Sequence, residues 1–203
     1  QFIKTLLRTT PDLEIDNNHM MVISPDEGAM HRAIYFANLL GVDVGMFYKR
    51  RDYSRVVDGR NPIVAHEFLG DSVEGKDVII IDDMIASGES MIDVARQLKQ
   101  RKAKRVYCIA TFGLFTKGLE VFDKCHEEGL IEKVITTNLT YQMPDLFKKG
   151  WYESADMSKY IALIIDHLNH DASISELLDP AERINARIAE YKEKHTISDN
   201  YEM

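Results

Sequence analysis

The run from Val78 to Ser90, VIIIDDMIASGES, combines residue types that can bind a phosphorylated sugar. Its apolar first residues predict a buried strand, and the adjacent carboxylates Asp82 and Asp83 follow at the carboxyl end of that strand. Neighbouring sugar hydroxyls can donate hydrogen bonds to such carboxylates, which can also hold Mg²⁺ through water. The acid pair is therefore the first candidate for a site.

The residues after the acid pair are small or polar and precede a predicted helix: Ala86, Ser87, Gly88, Glu89 and Ser90. Small side chains let a ligand approach the backbone, and the N–H groups at a helix N-terminus attract phosphate. The segment is not a P-loop, which needs a Lys after its glycines. If the acid pair stood alone, the simpler interpretation would be that it merely ends a strand and caps a helix. Here acids, loop and helix occur together, where open α/β sheets place ligands.

A basic segment interrupts this acidic chain, whose formal net charge is −8. Its cations are Lys49, Arg50, Arg51, Arg55 and Arg60. A solvated loop and an anion clamp both explain such a run, and the residues alone leave both interpretations open.

Apolar and amphipathic segments alternate along the chain, which predicts an α/β fold with a parallel sheet and helices on both faces. The predicted strands are Met20–Ser24, Val44–Tyr48, Val64–Leu69, Val78–Asp82, Arg105–Thr111 and Lys133–Asn138. The predicted helices are Glu27–Leu40, Glu89–Gln100, Thr116–Glu128 and Ser158–Asn169, followed by a C-terminal helix over Pro180–His195.

The segment Arg51–Pro62 has no sustained periodicity and contains turn signals, so we expect a functional flap there. The following segment, 66–75, is expected to return as an antiparallel strand. Apolar spacing in the C-terminal helix suggests packing on a partner chain or on another domain, and residues 197–203 are expected to fray.

Composition narrows the class of protein. A hydrophobic content of 45% is enough for a core, and no apolar stretch is long enough to predict a membrane span. The acidic balance disfavours nonspecific nucleic-acid binding. Cys108 and Cys125 do not make a disulfide framework, so we expect a reducing cytoplasm, and no zinc-site spacing is present.

Four segments in register resemble the ribose-phosphate diphosphokinases, which make phosphoribosyl pyrophosphate (PRPP). The run 78–90 is similar to the PRPP loop of that family and of the type I phosphoribosyltransferases. SPDEG at 24–28, followed by Arg32, resembles the family's S-P-D-x-G segment. KRR at 49–51 resembles the start of its catalytic loop, and ATFGLF at 110–115 its A-T-H-G-L-F segment. The resemblance runs from about residue 19 to about residue 178.

The resemblance implies an organisation as well as a reaction. Family members have two similar halves, and the N-terminal half supplies much of the ATP site. The expectation is therefore a C-terminal half, with residues 1–18 as a linker remnant, 19–178 as a phosphoribosyltransferase-like catalytic domain and 179–203 as a helical tail. The implied partners are ATP, ribose 5-phosphate, the missing N-terminal domain and further copies in a homo-oligomer. This chain alone is expected to be inactive or nearly so.

The resemblance also implies roles for individual residues. Lys49 and Arg51 would clamp the diphosphate that moves from ATP to the 1-hydroxyl of ribose 5-phosphate, which favours the clamp interpretation of the basic segment. Asp82 and Asp83 would bind ribose hydroxyls directly or through Mg²⁺, and residues 86–90 would wrap the 5-phosphate. Asp26 matches a Mg²⁺ ligand, although it is also placed to cap a helix. Thr111 and Phe112 would support the site.

Three positions depart from the family pattern. Ala86 stands where many members have an acid, Glu89 where they have Gly, and Phe112 where His is common. These changes leave a non-catalytic, PRPP-binding regulatory paralogue as the alternative, while intact Lys49 and Arg51 favour the enzyme. A phosphoribosyltransferase that joins PRPP to a base is a further alternative, but the sequence offers no segment for binding a nucleobase.

Overall fold

The structure is a computed structural model that describes the backbone of residues 1–51 and 63–199 and the side chains of residues 1–48 and 67–194. Within these residues, seven strands form one sheet in the order β3-β2-β1-β4-β5-β6-β7. The strands are β1 Met20–Ser24, β2 Asp43–Arg51, β3 Ile63–Leu69, β4 Asp77–Ile85, β5 Arg105–Gly113, β6 Lys133–Thr137 and β7 Tyr152–Ala155. Every pairing is parallel except that of β3 with β2.

Helices cover both faces of the sheet, as the alternating pattern predicted. They are α1 Phe2–Thr9, α2 Met30–Leu40, α3 Glu89–Gln100, α4 Glu120–Glu127, α5 Ser158–Asn169, α6 Ser175–Leu178 and α7 Ala181–Asp199. A 3-10 helix spans Pro144–Lys148.

Successive residues of the central strands face opposite sides of the sheet, so these strands are apolar throughout. Ile80 of β4 packs with α3 and α4, whereas its neighbours Ile79 and Ile81 pack with α1, α2 and α7. Both cores are closed, because Ile79, Ile80 and Ile81 are at most 2% exposed. Burial on two faces explains why the acid pair follows an uninterrupted apolar run.

The central elements match the prediction and their ends differ. β4 continues through the acid pair to Ile85, because Met84 and Ile85 keep the parallel register with Phe112 and Gly113 of β5. Helix α2 begins at Met30 rather than Glu27, after a turn that includes Asp26. Helix α4 likewise begins later than predicted, at Glu120.

Four described elements were not predicted: helix α1, the 3-10 helix, strand β7 and the short helix α6. Strand β7 has only four residues, too few for its period to be recognised. Helix α1 lies in the segment expected to be a linker remnant, yet Ile3, Leu6 and Leu7 are buried against the sheet. Residues 2–9 are therefore an integral part of the core on that face.

Helix α7 begins one residue after the predicted start at Pro180, and it packs on α1 and α2. Ile188 is buried there, and the Tyr191 hydroxyl accepts a hydrogen bond from the Leu13 N–H at 3.0 Å. The helix runs to Asp199, and residues 200–203 of the segment expected to fray lie outside the described residues.

Both cysteines are buried and unpaired with each other, Cys108 in β5 and Cys125 in α4. Burial raises the pKa of each thiol, so neither is an activated nucleophile at neutral pH. Across the described ranges, no helix has the length and apolar character needed to cross a membrane.

Candidate functional site

The acidic residues singled out from the sequence lie close together at the carboxyl edge of the sheet. Strands β1 and β4 are neighbours, and Asp26 follows β1 while Asp82 and Asp83 lie near the end of β4. The Ser24 hydroxyl donates to the Asp26 carbonyl at 2.6 Å, and the Ala29 N–H donates to Asp26 Oδ1 at 3.2 Å. These two bonds fix the turn that presents Asp26.

Asp82 and Asp83 occupy different environments although they are adjacent. The Asp82 side chain is 24% exposed and that of Asp83 is 61% exposed. Asp82 Oδ1 accepts the Asp83 N–H at 2.8 Å. Burial, together with the negative charges of Asp83 and Asp26, raises the pKa of Asp82 to about 6. A cation or a hydroxyl donor bound here would relieve this crowding of carboxylates.

Among the described residues, Arg32 on the first turn of α2 is a cation close to the acid pair. Its Nη1 lies 3.7 Å from Asp82 Oδ1, and its Nη2 lies 3.9 Å from Asp83 Oδ2. Both distances exceed that of a good charge-assisted hydrogen bond. The guanidinium therefore tempers the negative charge without closing off the carboxylates. The sequence placed Arg32 in a motif but gave no sign of this contact.

The loop between β4 and α3 depends on Gly88. Its φ of +86° lies in the left-handed region, and a Cβ there would collide with the Phe122 ring. The loop backbone is thus set by packing. In the described part of the chain, the N–H groups of Ser87, Gly88 and Ser90 donate to no protein acceptor. They remain available to an anion at the start of α3.

The segment after β5 supports this loop from beside it. The Leu114 N–H donates to the Ile85 carbonyl at 2.9 Å, and the Thr116 N–H donates to the Ala86 carbonyl at 2.9 Å. Beneath them, Phe115 packs edge-on against Phe122 with ring centroids 5.3 Å apart. The two segments form one rigid unit at the carboxyl edge.

Glu89, the acid that departs from the family pattern, is paired. Its Oε1 lies 2.5 Å from the Nζ of Lys117, which belongs to the segment after β5. The Lys117 hydrogen bond and charge hold the pKa of Glu89 below its usual range. Sequence reasoning did not find Lys117, because its partner is 28 residues away.

For the predicted clamp residues Lys49 and Arg51, the structure describes the backbone. The backbones of Lys49 and Arg51 lie in the last part of β2, opposite His66 and Ile63 of the antiparallel β3. Their side chains lie outside the described residues, as do residues 52–62 of the flap expected over Arg51–Pro62, whose first residue belongs to β2.

Thr111 and Phe112 lie at the end of β5. The Thr111 carbonyl accepts a hydrogen bond from the Thr137 hydroxyl at 2.6 Å, which ties β5 to β6. Phe112 is 38% exposed and pairs in register with the exposed Met84 of β4. An apolar surface thus lies next to the acid pair.

The fold and this edge of the sheet define a phosphoribosyltransferase-type α/β domain. Residues 3–151 match the family described as the phosphoribosyl transferase domain, and the chain belongs to that family. The expected α/β fold of type I phosphoribosyltransferases, with its C-terminal helix, is confirmed.

Within this family, the chain is similar to ribose-phosphate pyrophosphokinases. A ribose-phosphate pyrophosphokinase of Vibrio parahaemolyticus is 31% identical over 160 residues, which are 78% of this chain and 48% of that protein. One of Thermococcus kodakarensis is 33% identical over 63% of this chain and 44% of its own length. A phosphoribosylpyrophosphate synthetase structure from Mycobacterium smegmatis superposes with a TM-score of 0.67 at 23% identity, covering 84% of this chain and 50% of that one. The chain spans about half the length of the curated relatives it matches.

Proposed function

We propose that this chain is the ribose-phosphate-binding half of a ribose-phosphate diphosphokinase, which transfers diphosphate from ATP to the 1-hydroxyl of ribose 5-phosphate to give PRPP and AMP. The observation that carries this proposal is the acid pair at the end of β4, followed directly by a loop in which the N–H groups of Ser87, Gly88 and Ser90 donate to no described acceptor. Acceptors for ribose hydroxyls and donors for a 5-phosphate occur here at neighbouring positions.

The polarity of the site supports a bound sugar phosphate rather than a free anion. Asp82 and Asp83 would repel a lone phosphate, whereas ribose hydroxyls can donate to both carboxylates. The phosphate would lie against residues 86–90, where Ser87 and Ser90 add hydroxyl donors. Since Gly88 is held by Phe122, the loop is shaped before the ligand arrives, and little ordering free energy is spent on binding.

The carboxylates also suit Mg²⁺. This cation prefers oxygen ligands and is commonly held by one or two carboxylates together with substrate phosphates. Asp26, Asp82 and Asp83 supply oxygens, and the pKa of Asp82 is raised by burial and by the negative charges of Asp83 and Asp26. Bound Mg²⁺ would neutralise phosphate charge, and the carboxylates of this chain would orient the ribose hydroxyls.

Catalysis of this kind depends on positioning and charge neutralisation. We assign Lys49 and Arg51 to the transferring diphosphate. Strand β2 runs parallel to β1, so its last residues reach the edge of the sheet that carries Asp26. Because β3 returns antiparallel to β2, the first residues of β3 lie beside the last residues of β2 at that edge.

The test is calorimetric titration of ribose 5-phosphate and PRPP, with Mg²⁺, into the parent chain and into an Asp82→Ala, Asp83→Ala variant. We expect the parent to bind both ligands and the variant to bind at least about 100-fold more weakly, since each lost charged hydrogen bond is worth about 1.5–3 kcal/mol. The matched control is Glu127→Ala, Glu128→Ala, which removes two exposed adjacent acids from the end of α4.

Two outcomes would contradict the assignment. Equal binding by the parent and the acid-pair variant would place the sugar elsewhere, and no binding by the folded parent would remove the proposed site. Binding without PRPP formation, even when the other half of a full-length relative is supplied, would favour the regulatory alternative. The departures from the family pattern at Ala86 and Glu89 support that alternative.

The assembly follows the same proposal. The ATP site would be completed by a segment equivalent to the other half of the relatives, so this chain alone should make little or no PRPP. Assembly into a homo-oligomer and a cytoplasmic location, which suits the two unpaired cysteines, belong to the proposal as well.

A further inference from the structure

Glu89 is an unusual residue to find at the start of α3 if the preceding loop holds a phosphate. An acid in the first turn of a helix interacts favourably with the N–H groups there, which are the groups a phosphate would use. Its carboxylate would also repel a phosphate dianion directly. A loop carrying this charge alone should bind the dianion poorly.

Lys117 approaches the loop from the segment after β5. Its Nζ lies 2.5 Å from Glu89 Oε1. The backbone beside it is fixed, because the Thr116 N–H donates to the Ala86 carbonyl at 2.9 Å. The lysine is therefore tied to the same rigid unit as the loop, although both side chains of the ion pair are mostly exposed.

We propose that Lys117 sets the charge of the phosphate loop by neutralising Glu89, so that the loop accepts a phosphate monoester dianion. This inference rests on the proposed function and names a determinant of its phosphate end. Lys117 is a positioning residue that acts through Glu89. The ion pair draws the carboxylate towards the β5 side and leaves the N–H groups of Ser87, Gly88 and Ser90 to the ligand.

Stability alone does not account for the ion pair. Exposed ion pairs contribute little to the free energy of unfolding, because both charges stay hydrated and the side chains lose freedom. The same charges act on a dianion at the loop with twice the force that they exert on a single charge. The effect of Lys117 should therefore appear in ligand binding and hardly at all in stability.

The test compares the parent with Lys117→Gln, Glu89→Gln and the double variant, using ribose 5-phosphate and inorganic phosphate as calorimetric titrants. We expect Lys117→Gln to weaken ribose 5-phosphate binding on the order of tenfold, and Glu89→Gln to strengthen it a few-fold. The double variant should lie within about twofold of the parent, because neither charge remains. These differences should shrink at high salt.

The control variant is Lys102→Gln, which removes an exposed lysine that pairs with Glu74 near the opposite edge of the sheet. It should leave binding unchanged and so exclude an effect of net charge. Unchanged binding in Lys117→Gln, or a double variant as weak as Lys117→Gln, would overturn the inference. If the acid-pair variant still loses ribose 5-phosphate in that case, the proposed function stands without it. If the parent binds inorganic phosphate in a Lys117-dependent way but no ribose 5-phosphate, the charge role stands and the proposed function fails.

Discussion

Two clusters of one arginine and two aspartates lie at opposite edges of the sheet, and they are built differently. At the amino edge, Arg105 donates to both oxygens of Asp77 at 2.6 and 2.8 Å and to Asp12 at 2.8 and 2.9 Å. At the carboxyl edge, Arg32 stays 3.7 and 3.9 Å from Asp82 and Asp83.

The contrast separates a structural cluster from a binding site. Asp77 is buried, with 3% of its side chain exposed, and Arg105 satisfies both of its oxygens. Among the described residues, Arg32 makes only long contacts to the acids at the carboxyl edge, and burial together with neighbouring charge raises the pKa of Asp82. Charged groups that complete each other's hydrogen bonds stabilise the fold, whereas groups left incomplete are available to a ligand.

The largest expected effect is at the amino edge. Arg105→Ala leaves the buried Asp77 carboxylate without its cation, so the free energy of unfolding should fall by about 3 kcal/mol or more. Urea denaturation at neutral pH measures it. A loss below about 1 kcal/mol would mean that this cluster is as loose as the one at the other edge.

A second variant tests whether the backbone of the loop at the carboxyl edge is held firmly by packing, although the acid side chains beside it make only long contacts. Gly88→Ala should lower the free energy of unfolding by about 2 kcal/mol, since it combines a strained φ with a clash against Phe122. The control is Gly129→Ala, at φ +67°, where a Cβ would meet open space. Equal losses in the two variants, measured by thermal unfolding, would show that the loop is not held by Phe122.

The pH dependence of stability should have opposite signs at the two edges. The folded pKa of Asp82 is raised to about 6 from 3.8, so unfolding free energy should fall as pH rises through that window. Asp82→Asn should remove this fall and stabilise the metal-free protein above pH 6 by about 1–2 kcal/mol. The pKa of Asp12 is lowered through its bonds to Arg105, so Asp12→Asn should destabilise at neutral pH. The stability contributed by Asp12 should be lost as pH falls below about 4, so urea titrations in chelator from about pH 2 to pH 8 give both signs, and like signs would remove the contrast.

The smallest expected change in stability is at Arg32. Arg32→Ala breaks only long contacts to exposed or half-buried acids, so the unfolding free energy should change by less than about 1 kcal/mol. Ribose 5-phosphate binding should still weaken, because the acid pair becomes more negative near a phosphorylated ligand. A destabilisation as large as that of Arg105→Ala, in the same denaturation assay, would make Arg32 a structural residue.

Sequence patterns predicted what depends on neighbouring residues. The apolar run before Asp82, the helical spacing of α3 and the small loop residues are local, so strand, helix and loop were predicted together. The family resemblance then supplied roles for Asp26, Lys49 and Arg51, which stay predictions.

The missed features depend on distant residues. Arg105 meets Asp12 across 93 positions, and Lys117 meets Glu89 across 28, which no periodicity reports. Predicting the contact between Lys117 and Glu89 requires knowing that β4 and β5 are neighbours in the sheet, since this brings the loops after the two strands together. Helix α1 was missed for a related reason, as its burial depends on strands that follow it in the chain.

The hydrogen bond between the Leu13 N–H and the Tyr191 hydroxyl has a kinetic consequence. It joins residues 178 positions apart, so it can form only after nearly the whole chain has been gathered into one loop. Contacts between residues so far apart in sequence form late in folding, because closing a long loop costs conformational entropy. Helix α1 is synthesised well before α7, yet the outer side of α1 is covered only when α7 packs against it. We therefore expect the pair to dock last onto an already assembled sheet and to be the first part of this face to open in the native state.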